Sequence, residues 1–523
     1  MSDVDSNVAA TGSALGAARD PRRWWILVVV CLAQLMIVVD LTIVNIALPA
    51  AQRDLGFSNA SRQWVVTAYA LAFGSLLLIG GRVADRIGRR RALLIGAVIF
   101  GVGSGLGGAA PDLAVLLIAR VLQGAGGALL APAALATVTV TFVDPKERAT
   151  AFSVFGAIAA VGGALGLLLG GVLTEHVDWR STLFVNLGIA AVTLVGALAV
   201  IDRDVAREHK RLDLLGTVLV SLGVFALVFG FSRAQTNGWG ATETLVSLGA
   251  SAILLSTFAW WQTRAHNPLL PLRVLLDRDR GASFSVLGLV NVGMFAVFLF
   301  LTYYLQLSLH YSPVKTGLAF MGLIGGVMVG SGIGLQILPR FMGPRLIVPG
   351  GMLTAAAGMA WLTHLGLHTA YWAGILPPLL VLGLGVGIVF PLAINLSTAR
   401  LDDDDNGVGG ALVNTTQQVG GSVGIALLST LAASAAATYV RTHHGTKAIV
   451  LEHATLHSYA VAYWIAAAIF AASAVLVAAL YRPGIPAELR ASDAFEPAPS
   501  QRAARPLDGR SASTGDSVVI GGA

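Results

Sequence analysis

The chain has 523 residues, of which 55% are hydrophobic and 12% charged, and its mean hydropathy is +0.76. Soluble domains carry about 25% charged residues, so this composition excludes an ordinary water-soluble enzyme or binding module and indicates a polytopic membrane protein. The net charge of +6 and pI near 9.7 do not indicate nucleic acid, because the basic residues gather in alternate loops between apolar runs, where they set membrane topology.

Runs of about 20 apolar residues cross a bilayer as helices. Fourteen are predicted, at about 24–47, 63–81, 92–110, 113–141, 149–173, 181–201, 212–231, 243–263, 282–307, 314–338, 346–365, 371–398, 408–435 and 457–481. With the N-terminus inside, the outer loops hold only Arg53, Arg62, Arg180, Arg233, Lys315, Arg441 and Lys447. An even number of spans returns the C-terminus to the cytoplasm. Charged segments follow the sixth and eighth spans, so the expected class is an all-α membrane protein of two six-helix bundles plus two central helices. The expected parts are a cytoplasmic tail over 1–23, a bundle over 24–201, cytoplasmic segments and two linker helices over 202–280, a second bundle over 281–481, and a disordered cytoplasmic tail over 482–523. Arg22 and Arg23 before an apolar run superficially resemble a signal peptide. Cleavage there would remove Asp40, leave thirteen spans and break the charge alternation. The single Cys31 lies in the first span and has no partner for an intramolecular disulfide.

The first span, WWILVVVCLAQLMIVVDLTIVNIA from Trp24 to Ala47, contains one charged residue, Asp40. A carboxylate at such a depth costs at least ~2.5–3.5 kcal/mol on insertion scales, which makes it a functional candidate for carrying a proton or binding a cation. After the second span comes GGRVADRIGRRRALLIG, Gly80 to Gly96. Gly81 allows close helix approach there, Asp85 can cap a helix or pair with an arginine, and Gly88 allows a tight reversal. Arg89, Arg90 and Arg91 hold the start of the third span in the cytoplasm, with Arg86 in the same loop, although anchoring alone does not require this spacing. A related Arg–apolar–Gly–Arg core recurs after the tenth span, in LPRFMGPRLIVPGG, Leu338 to Gly351.

The G-x-G-x-x-G at Gly103–Gly108 follows no strand and is refused as a nucleotide loop. In the fourth span, ARVLQGAGGALLAP carries Arg120, Gln123 and Gly124. At 1.5 Å per residue Arg120 lies roughly 10 Å from the end of that span near Leu113, a depth similar to that of Asp40. Opposite charges at one depth can offset each other's desolvation. The residues alone leave open a static ion pair or an arginine reaching outward. In the fifth span Gly162, Gly166 and Gly170 repeat every four residues, with Gly171 beside them; small-xxx-small spacing is first of all a packing device. Asn395, Asn414, Gln417 and Gln418 are candidates for a substrate cavity or for hydrogen bonds between helices. The acidic run around Asp402 and Asp404 lacks the terminal carboxylate of a calcium loop, because Val413 stands there. No metal site, nucleotide loop or cofactor is expected.

The G-x-x-x-D-x-x-G-R-R loop around Asp85 resembles the signature of the major facilitator superfamily, where this loop latches the two bundles in the outward-open state. Arg120-x-x-Gln123-Gly124-x-Gly126 resembles the fourth-span motif of the same superfamily, whose arginine is implicated in proton transfer. The fifth-span glycines resemble the antiporter motif G-x-x-x-G-P-x-x-G-G, with Leu167 in place of the proline. Val38 to Pro49, VVDLTIVNIALP, and Trp179-Arg180 followed by Phe184 and Asn186 resemble the fourteen-span drug:proton antiporter branch. That resemblance covers Trp24–Tyr481. It implies a proton-coupled exporter of amphipathic drugs, not an enzyme, functional as a monomer in the cytoplasmic membrane of a bacterium. Its partners would be a small amphipathic substrate, protons and the lipid bilayer, with no nucleic acid. The alternatives are an importer or facilitator of a metabolite and, more remotely, a membrane sensor or enzyme.

Overall fold

The computed structural model describes residues 22–142, 144–202, 213–265, 268, 272–398 and 406–484. Most of the expected tails, the acidic run near Asp402 and most of the charged segment after the sixth span lie outside the described residues. The described chain is helical and contains no strand. An apolar segment in lipid must satisfy its own backbone hydrogen bonds, and a helix does this within one segment.

Among the described residues, thirteen helices are long and apolar enough to cross a membrane: Arg22–Leu55, Arg89–Gly108, Leu113–Thr141, Val154–His176, Ser181–Val200, Leu215–Ala234, Thr242–Gln262, Arg278–Ser308, Pro313–Arg340, Pro344–Leu362, Tyr371–Thr398, Leu412–Thr442 and Lys447–Leu480. The remaining long helix, Asn59–Ile87, has 29 residues and supplies the second of the fourteen spans. Polar loop residues start several of them. Asp112 accepts from the Val115 backbone N–H at 2.9 Å, and Ser58 and Ser312 act likewise, satisfying donors that the first helical turn leaves free. Span nine departs from α-geometry over Val297–Leu301 and Tyr304–Ser308, where it is π-helical.

Span four is the axis of the first half and packs along spans two and three, while span one packs along span five and span three along span six. In the second half, span twelve packs against spans ten and eleven, span eleven against fourteen, and span nine against thirteen. Spans seven and eight form a hairpin, clasped by Asp213, which accepts from Trp261 Nε1 at 2.8 Å and Gln262 Nε2 at 2.7 Å. Span seven touches both span two and span thirteen, so the hairpin lies where the halves meet. At the end bearing Arg62 and Arg180, the halves are tied directly. Gln306 Nε2 donates to the Ile46 carbonyl at 3.1 Å, and the Val314 N–H donates to Glu175 at 2.9 Å.

Two glycine expectations change. Close approach of spans two and four depends on Gly80 and not on Gly81. A Cβ on Gly80 would lie 2.1 Å from the Ala128 carbonyl oxygen, whereas one on Gly81 would meet Pro132 at an ordinary 3.6 Å. In the fifth span, Gly166 and Gly170 press against span one at Val39, Thr42 and Ile43, but Gly171 turns to Pro313 and Val314 in the other half. Gly80→Ala is therefore expected to lower the detergent melting temperature sharply, because the obstacle is backbone, while Gly81→Ala leaves it nearly unchanged. Fluorescence-detected size exclusion after heating reads the difference.

Candidate coupling site

Asp40 is fully buried, and Arg120 is 1% exposed. Span one brings the acid to the span four surface, and small residues let the neighbours close in. A Cβ on Gly124 would lie 2.5 Å from the Tyr69 carbonyl, and one on Gly126 2.6 Å from the Phe100 nitrogen. Gly103 seats its helix on the Gln123 backbone in the same way, at 2.9 Å. The glycines of ARVLQGAGG thus bring spans two and three onto span four on either side of Arg120.

Arg120 Nη1 donates to Asp40 Oδ2 at 2.6 Å and to Gln123 Oε1 at 2.9 Å, and Arg120 Nε donates to the Val65 carbonyl at 3.0 Å. A guanidinium only donates, so Gln123 must turn its oxygen to Arg120. Its amide nitrogen then donates to Asp40 Oδ1 and to Ser104 Oγ, both at 2.9 Å. The Ser104 hydroxyl in turn donates to the Phe100 carbonyl at 2.9 Å. Asn186, from span six, donates to Asp40 Oδ1 at 2.8 Å. The carboxylate therefore accepts from three side chains on two helices, which is the pattern an ionised acid needs when removed from water. The Tyr69 ring lies beneath the guanidinium, 4.5 Å from its carbon to the ring centroid. Among the described residues, Asn186 Oδ1 and the Tyr69 hydroxyl are buried without a partner.

Above this cluster, Trp179 and Arg180 close the end of the bundle. Arg180 pairs with Asp54, Trp179 Nε1 donates to the same carboxylate at 3.0 Å, and Arg180 Nη2 donates to the Ala110 carbonyl at 3.0 Å. A void of about 10 Å³ lies between this cap and Arg120, lined by Val44, Leu48, Val65, Leu116 and Trp179. That is near the size one water requires.

The other sequence candidates lie elsewhere. Gly88 ends span two and starts span three with φ of 91°, a conformation that suits glycine alone. Arg90 donates to the Leu198 carbonyl at 2.9 Å, tying this loop to span six. Arg86 is exposed and Arg89 half-buried, while the Asp85 side chain is outside what the structure describes. Asn395 is exposed, Asn414 donates to Gly410 of its own helix at 3.1 Å, and Gln417 is half-buried. Gln418 is the buried amide of this group. It packs its Cβ on Gly74 of span two, and its oxygen has no partner among the described residues. Asn186, Ser104 and Tyr69 were not singled out as site residues from the sequence, although Asn186 falls in the Trp179–Asn186 string.

A model of the major facilitator superfamily matches residues 30–425. The chain belongs to the major facilitator superfamily. Its relatives in this superfamily include a puromycin resistance protein of Streptomyces alboniger, 48% identical over 90% of this chain and 94% of the relative. A cephamycin export protein of Amycolatopsis lactamdurans is 37% identical over 78% of this chain and 85% of its own length. A tetracenomycin C resistance and export protein of Streptomyces glaucescens is 34% identical, covering 79% and 76%. Among solved structures, a bacterial homologue of the human lysosomal transporter Spinster, inward-facing and unoccupied, superposes with a TM-score of 0.60 at 17% identity, over 89% of this chain and all of that one. This last similarity is one of fold. The chain is a multi-pass membrane transporter of small molecules and not an enzyme.

Proposed function

We propose that this transporter is a proton-coupled exporter of antibiotics or similar amphipathic drugs, with Asp40 as the proton carrier and Arg120 as its counter-ion. The observation that carries the reading is the buried Asp40–Arg120 pair, held by Gln123 and Asn186 inside an apolar bundle. A buried ion pair adds little net stability, and ionisable residues within membrane spans mark ion and substrate pathways. The names of the relatives, which speak of puromycin resistance and cephamycin export, support an antibiotic as cargo and the outward direction.

In this reading both termini lie in the cytoplasm, so the end bearing Asp54, Arg62 and Arg180 faces outside. A single chain holds both halves and every residue of the cluster, which supports action as a monomer. A proton reaching Asp40 turns a pure acceptor into a donor. Arg120 then loses its charged partner, and the unpaired Asn186 Oδ1 can accept the new O–H once its amide turns over. Drug binding from the cytoplasm favours the ionised, paired state, and proton entry from outside favours the separated one. The loop at Asp85, Gly88 and Arg90 controls the interchange at the cytoplasmic surface, remote from the drug. Asn186→Leu is expected to leave folding intact and to slow proton-driven efflux about tenfold, the rate equivalent of one hydrogen bond of ~1.4 kcal/mol.

Everted membrane vesicles test the function. Energised vesicles should accumulate the drug, and a protonophore should stop them. Uptake of the same compound by intact cells, driven by the proton gradient, would show an importer instead.

A further inference from the structure

The outer end of the closed pathway holds an arrangement that the coupling cluster does not use. Span nine is π-helical on both sides of Tyr303, and π stretches within α-helices recur at functional sites because they re-aim side chains. Tyr303 is 3% exposed. Beside it, Phe300 packs on Tyr459 with ring centroids 5.9 Å apart, and Tyr304 meets the same ring edge-on at 6.5 Å. The hydroxyls of Tyr303 and Tyr463 are buried and have no partner among the described residues. Spans nine and fourteen thus build an aromatic wall with two unspent hydroxyls.

The cation on this wall comes from the opposite half. Arg62, of span two, places its guanidinium carbon 3.3 Å from the Tyr303 ring centroid while donating to Gln52 Oε1 of span one at 3.1 Å. Gln306 crosses the same seam to Ile46. When the halves part at this end, Arg62 leaves with the first bundle because Gln52 holds it there. The Tyr303 face then stands bare beside the exit path. A ring face vacated by one cation attracts another for the same electrostatic reason.

We infer that the Tyr303 face, with Tyr459 beside it, is an exit site for the cationic group of an exported drug, and that Arg62 displaces that group as the outer end closes. This rests on the export reading above. The ligand class is an amphipathic organic cation with a protonated amine or quaternary nitrogen. A tethered arginine acts at an effective concentration in the mM range, enough to outcompete a weakly held drug and to prevent its return.

Ethidium, cationic and fluorescent, and Nile red, neutral, are titrated against the full chain in lipid nanodiscs. Tyr303→Leu is expected to weaken ethidium binding about five- to thirty-fold, and Tyr303→Phe about two-fold or less, because the ring face persists. Arg62→Gln should tighten ethidium binding at least about three-fold by removing the competitor. Nile red should bind all variants equally, which also reports an intact fold. Wild-type protein that ignores ethidium, equal losses for both dyes, or an Arg62→Gln variant with unchanged or weaker ethidium binding would overturn the proposal. Efflux by wild-type everted vesicles is scored separately. If the dye pattern appears without proton-driven efflux, the export reading falls and the cation-binding face stands.

Discussion

Asp40→Asn is expected to reach the membrane, to bind drug and to reduce proton-driven efflux to the level of cells lacking the protein. Asparagine has nearly the shape of aspartate, and its oxygen can accept from Gln123 and Asn186, whose donors now meet Asp40 Oδ1 at 2.9 and 2.8 Å. Arg120 loses its anion at some cost in melting temperature but keeps the Val65 carbonyl, Gln123 Oε1 and the Tyr69 ring. Asparagine cannot take up and release a proton. Asp40→Glu keeps the titratable group but pushes it one methylene further into a fully buried site, so partial activity is expected. Efflux under an imposed pH gradient is the measurement. If the Asn variant loses only cationic drugs and still couples neutral ones, Asp40 is a counter-ion for cargo and not a proton carrier.

The Arg120 substitutions should have the second-largest effect, and should separate stability from coupling. Arg120→Ala leaves Asp40 buried without its cation, and removing one partner of a buried pair costs about 3–5 kcal/mol. It also strands the Val65 carbonyl and Gln123 Oε1, both now served by the guanidinium. A large fall in melting temperature and loss of transport are expected together. The double variant Asp40→Asn, Arg120→Gln carries no unpaired charge and should recover most of the melting temperature without recovering transport. Arg120→Lys offers a point charge in place of a fork and cannot serve Asp40, Gln123 and Val65 at once; it should fold better than Arg120→Ala and transport poorly. A double variant no more stable than Arg120→Ala would show that the guanidinium serves packing and not charge balance.

The buried Asp40–Arg120 pair was legible in the sequence because each charge interrupts an otherwise apolar run, and the rise per residue places both at one depth. The remainder of the cluster was not, for two physical reasons. A neutral amide or hydroxyl within a span serves equally well to join helices, so Asn186, Ser104 and Tyr69 carry no signal comparable to a buried charge. Depth also says nothing about rotation around a helix. Neighbouring residues point about 100° apart, which is why Gly80 and not Gly81 meets span four, and why Gly171 leaves the stripe of Gly162, Gly166 and Gly170. The helical class and the number of spans follow from composition and run length alone. The π-helical turns around Tyr303 do not, because an apolar run reads as a membrane helix whichever hydrogen-bond ladder it adopts.

Proton release on drug binding tests the central claim most directly. Purified protein in weakly buffered detergent solution is mixed with a drug that it exports, and a pH indicator follows the bulk solution. The account predicts release of protons by the wild type at a pH where Asp40 is partly protonated, and none from Asp40→Asn although drug binding persists. Equal release from both proteins would contradict Asp40 as the carrier, and drug binding by the wild type without release at any pH would contradict proton-coupled export by this chain.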